Sequence, residues 1–116
     1  MSMEAERVLI VEDEHALGTA LCFAVRRVGH LPILVASGEA ALDALSGGGF
    51  RVVVLDIGLP GMSGLEMLER LRATGPSLPV LVITAHATLD HAIRAQQLGA
   101  TQYLALFTAD PTETGG

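Results

Sequence analysis

The chain has 116 residues, 50% of them apolar, a net charge of −6 and a mean hydropathy of +0.48. That length fits one domain burying roughly 60–70% of its unfolded surface, and the apolar content excludes a disordered chain. The acidic balance argues against binding a nucleic-acid backbone, no apolar run nears the ~20 residues that cross a bilayer, and no basic-then-apolar signal segment opens the chain; a cytoplasmic location is expected.

Short β-branched runs alternate with longer amphipathic stretches, which is the pattern of βαβ units around a parallel sheet. Val8–Val11 reads as the first strand and Ala16–Val28 as a helix stopped by Gly29, with Leu17, Leu21, Ala24, Val25 and Val28 as its apolar stripe. Pro32–Ala36 reads as an edge strand, because its proline cannot donate to a ladder. Ser37 is placed to cap a helix over Gly38–Leu45, which Gly47–Gly49 terminates. Val52–Leu55 is continuously apolar, as a strand covered on both faces would be. The glycines and proline of Gly58-Leu59-Pro60-Gly61 break the chain into a loop, and Ser63 can cap a helix through Ala73. Val80–Thr84 is the fourth strand, Leu89–Leu98 the fourth helix and Tyr103–Phe107 the fifth strand.

Three carboxylates stand at the ends of these strands: Glu12 and Asp13 after the first, Asp56 after the third. Thr84 closes the fourth. In an open parallel sheet the carboxyl ends of the strands share one rim, so these groups are expected to meet in one pocket. Clustered carboxylates repel one another unless a cation sits among them. The plainer readings are that Glu12 and Asp13 flank a solvated loop and that Asp56 caps the loop after it; their coincidence at matching strand ends favours the site.

The stretches VLIVEDE, VVVLDIGLPGMSGLEML, LPVLVITAHA and LGATQYL, in this order from Val8 to about Leu104, resemble the receiver domain of bacterial two-component response regulators. The fourth-strand region is most similar to receivers attached to enhancer-binding transcription regulators. The resemblance implies a flavodoxin-like α/β fold with five parallel strands in the order 2-1-3-4-5. It implies that Asp56 accepts a phosphoryl group from a histidine kinase or phosphotransfer protein, and that Glu12 and Asp13 hold Mg²⁺ with Asp56 and the carbonyl of Gly58. It further implies that Thr84 bonds a phosphoryl oxygen and that Tyr103 changes rotamer on activation. Apart from the resemblance, a threonine ending a strand and a lone tyrosine are both common packing features.

The sequence departs from the family at two places. Receivers follow the Gly-Ala-x-x-Tyr-Leu stretch with x-Lys-Pro, whereas here Ala105-Leu106-Phe107 follows Leu104, with Leu106 in the lysine position and Phe107 in that of the proline. All seven basic residues are arginine, and no lysine occurs anywhere. Losing a charge-assisted hydrogen bond of that kind typically costs ~1.5–3 kcal/mol. The second departure is the fifth helix. Asp110-Pro111-Thr112-Glu113 reads as a helix start, but Gly115-Gly116 follows at once, so residues 108–116 are either a flexible tail or the stub of a lost helix, and 7–107 form the expected core. A fifth strand left uncovered predicts a compensating partner, a homodimer or another protein.

Among the remaining residues, Cys22 lies in an apolar helical stretch and is expected to be a buried small hydrophobe. His15, His30, His86 and His91 form no close-spaced ligand set and are expected to be solvated or capping. Two functions remain open: a non-enzymatic receiver phosphorylated on Asp56 with Mg²⁺, or a degenerate receiver that binds proteins without phosphorylation. A phosphatase of the haloacid-dehalogenase type would need an aspartate where Gly58 stands.

Overall fold

A computed structural model describes residues 5–74, 77–85 and 88–105. Five strands, β1 (Arg7–Val11), β2 (Leu31–Val35), β3 (Phe50–Asp56), β4 (Val80–Thr84) and β5 (Gln102–Ala105), alternate with four helices, α1 (His15–Arg27), α2 (Gly38–Ser46), α3 (Gly64–Thr74) and α4 (Leu89–Gln97). All strand pairs are parallel, and the order across the sheet is β2-β1-β3-β4-β5. This is the flavodoxin-like arrangement that the resemblance implies, and its parallel sheet is what the βα alternation predicts. The expected tail, the Leu106 and Phe107 positions and His86 lie outside the described residues.

The two-residue period of a strand sorts the core into two layers. Leu9, Val11, Val53, Leu55, Val80 and Val82 point to one side, where they meet Ala41 of α2, Met67, Leu68 and Leu71 of α3, and Ala95 of α4. Val8, Ile10, Val54 and Ile83 point to the other, against Cys22 of α1. Cys22 is a buried free thiol. The two central strands, β1 and β3, are therefore covered on both faces, which explains their unbroken apolar runs.

Helix α1 packs on a narrower stripe than its sequence predicts. Gly18 and Cys22 are its buried residues, whereas Ala24 is exposed and Val28 is 65% exposed. Gly18 lies so close to β2 that a Cβ there would stand 3.0 Å from Leu34 Cδ2, so a missing side chain rather than a large one makes the contact. The helix closes as expected at Gly29, where φ is +91°, the Gly29 amide donates to the Arg26 carbonyl and the His30 amide to that of Val25. At the start of α2, Ser37 Oγ accepts the Ala40 amide at 3.1 Å.

Candidate functional site

The strand register brings the acidic residues together. Val8↔Val52 through Val11↔Leu55 pair β1 with β3, and one further step sets Glu12 beside Asp56. On the other side Asp56 pairs with Ile83, which puts Thr84 one residue beyond it. Glu12, Asp13, Asp56, Gly58 and Thr84 all line one concavity of about 440 Å³ at the carboxyl rim of the sheet. One carboxylate oxygen from each of Glu12, Asp13 and Asp56 lies within 4.8 Å of the others.

Each group is held by local structure. The Glu12 amide donates to the Val35 carbonyl at 3.0 Å, tying the end of β1 to β2. Glu12 Oε2 accepts the Glu14 amide at 3.0 Å, so the carboxylate sits at the positive start of α1. Asp56 Oδ1 accepts the Gly58 amide at 3.0 Å. The loop-capping role of Asp56 thus coexists with its place in the pocket.

The loop leaving Asp56 is pinned by Ile57 and Leu59, both buried, and by Gly64. The Gly64 amide donates to the Ile57 carbonyl at 3.1 Å, and a Cβ on Gly64 would collide with the Asp56 carbonyl oxygen and the Ile57 Cα. The last glycine of the loop motif is therefore what lets α3 start directly against the end of β3. Ser63 Oγ caps that helix by accepting the Glu66 amide at 3.1 Å.

The carboxylates crowd one another. Glu12 is only 3% exposed, and burial pushes its carboxyl up to about 7, against the lowering effect of the Glu14 amide and with the Asp56 and Asp13 carboxylates adding to the rise. Its second oxygen, Oε1, is buried with no hydrogen-bond partner among the described residues. An all-oxygen donor set with an orphaned buried carboxylate oxygen suits a hard divalent ion such as Mg²⁺. Thr84 is buried, 3% exposed, at the end of β4, and engages another group.

Tyr103 does not join this site. It pairs with Val82 in the sheet, packs against the α2–α4 core layer, and lines a second concavity with Ala92, Gln96 and Ala100. Its hydroxyl is buried without a partner among the described residues. His91, expected to be solvated or capping, instead lines the acidic pocket and keeps a buried Nδ1 with no partner there. His30 does take a capping role, its Nδ1 accepting the Glu6 amide at 3.1 Å.

A family model described as the response regulator receiver domain matches residues 8–105. The response regulator protein FleR of Pseudomonas aeruginosa is 42% identical over 100 residues, covering 86% of this chain and 21% of that protein. The transcriptional regulatory protein QseB of Haemophilus influenzae is 35% identical over 98 residues, 84% of this chain and 44% of the relative. The chain thus spans less than half of either relative. Among solved structures, a CheY-like receiver domain protein from Methanospirillum hungatei superposes with a TM-score of 0.84 at 24% identity, covering 96% of this chain and 88% of the other. The BeF3-activated receiver domain of Klebsiella pneumoniae RstA gives 0.82 at 22% identity, over 95% and 93%. These two likenesses show the fold.

Proposed function

This chain belongs to the response regulator receiver domain family, and from that membership we propose that it accepts a phosphoryl group on Asp56 in the presence of Mg²⁺. The observation that carries the reading is the meeting of Glu12, Asp13 and Asp56 oxygens within 4.8 Å at the rim, with Glu12 Oε1 orphaned. The donor is the phosphohistidine of a sensor kinase or phosphotransfer protein. A carboxylate oxygen of Asp56 forms the new bond to phosphorus as the P–N bond breaks, and the electron pair returns to the donor imidazole. Such a transfer needs positioning and charge neutralisation more than covalent help.

Each residue has a part in this scheme. The Gly58 amide orients Asp56 through its hydrogen bond to Oδ1. Glu12, Asp13, Asp56 and the Gly58 carbonyl are the ligands proposed for Mg²⁺, which when bound would neutralise charge on the transferred oxygens. Thr84 donates its hydroxyl to a phosphoryl oxygen, and Tyr103 is the proposed aromatic switch. We read residues 7–107 as one signal-receiving domain, not an enzyme. A cytoplasmic setting is part of the proposal, and no helix among the described residues is long and apolar enough to cross a membrane. So is self-association, because Leu31, Ile33 and Leu34 of β2 and Leu104 of β5 leave exposed apolar surface on both edge strands. Sedimentation giving a monomer at all concentrations would remove that part.

Incubation with acetyl phosphate and Mg²⁺ is expected to add the mass of one phosphoryl group to the wild type and none to Asp56→Asn. The absence of lysine favours a second reading, a receiver that binds its partner without phosphorylation. Unmodified wild type after prolonged incubation would select it.

A further inference from the structure

We propose that His91 donates a hydrogen bond to the phosphoryl group carried by Asp56, in a chain that holds no lysine to do so. The inference rests on the phosphoacceptor reading above and adds a residue to it. Of the described side chains lining the acidic pocket, His91 alone carries nitrogen. The others that ionise there are the carboxylates of Glu12, Asp13, Glu14 and Asp56, which cannot donate to a phosphoryl oxygen while charged.

The imidazole also has a ring nitrogen without a partner among the described residues. Its Nδ1 is buried and unpaired among the described residues, a costly state for a polar atom unless something else reaches it. Its backbone is fixed. Thr88 Oγ1 accepts the His91 amide at 3.1 Å, and the Thr88 carbonyl accepts the Ala92 amide at 3.0 Å. One turn on, Ala95 is fully buried against the core, which holds this face of α4 inward. Arg94 ties the same helix to Glu69 of α3 at 3.3 Å. A ring on so well anchored a first turn can direct an N–H into the cavity without reorganising the helix.

Beryllofluoride with Mg²⁺ supplies the test, because it forms a phosphoryl-like adduct on a carboxylate without hydrolysing. In wild type, the His91 ring nitrogen resonances are expected to shift when the adduct forms, and to stay still in Asp56→Asn. His91→Ala is expected to weaken beryllofluoride binding by about tenfold, the scale of one charge-assisted hydrogen bond, and His91→Gln, which keeps an N–H, to restore part of it. Unmoved ring resonances in an adduct-bearing wild type overturn the proposal, whether or not His91→Ala folds. So does a folded His91→Ala variant with wild-type affinity. A wild type that forms no adduct at all overturns the phosphoacceptor reading, and this inference with it.

Discussion

Glu12 shows how burial and charge conflict in a single side chain. Its carboxyl in the folded chain is raised from 4.5 to about 7, so folding favours the protonated form. That advantage is complete below the unfolded value and is lost as pH rises through the folded one. Without divalent metal, the urea midpoint should therefore fall between about pH 5 and about pH 8, and Glu12→Gln should flatten that slope. At the proposed metal site Mg²⁺ would compete with the same proton, so its affinity should climb across this window; an affinity independent of pH would contradict the account. Gly64 presents the opposite case, a residue whose value is an absent atom. Because backbone atoms of Asp56 and Ile57 occupy the space of a Cβ, Gly64→Ala should cost about 1–3 kcal/mol of stability, measured by denaturant unfolding.

Helix α4 contributes His91 to the pocket, and its cap can be tested separately from the pocket residues. Thr88→Ala removes the hydroxyl that accepts the His91 amide. It should cost about 1 kcal/mol and weaken beryllofluoride binding, read by calorimetry and titration. Elements of this kind were largely legible in the sequence. Val80–Thr84 is the fourth strand as expected, because five apolar or β-branched residues end at a loop. Phe50 and Arg51 extend β3 beyond its apolar run, since charged Arg51 faces solvent while Arg7 covers the Phe50 ring at 4.3 Å. In α1 the large-residue stripe is right for Leu21 and Val25, which pack against the core, but it missed that the small Gly18 and Cys22 are the buried residues and that Ala24 and Val28 are exposed. The acidic rim was readable because strand ends of a parallel sheet converge by rule. His91 was not, because nothing in its spacing from Thr84 shows that the first turn of α4 folds back over the rim.

At the scale of the whole molecule, acidic groups concentrate at one end of a chain already bearing −6. Removing that local repulsion should stabilise the entire fold, since a ligand that binds only the native state raises its melting point by mass action. Millimolar Mg²⁺ is expected to raise the thermal midpoint of the wild type, and to do little for Asp13→Asn or Asp56→Asn. Equal gains in all three would mean that the ion acts by general screening. The parity of the sheet makes this coupling global: Val8, Ile10 and Val54 lie under α1, while Leu9, Val11, Val53 and Leu55 lie under α2 to α4, so both layers end at the same rim.

Neighbouring positions on α4 open onto different chambers. His91 looks into the acidic one, while Ala92 and Gln96 border the groove that holds Tyr103. The helix is thus a partition common to both, so any turn about its own axis would reshape the two spaces at once.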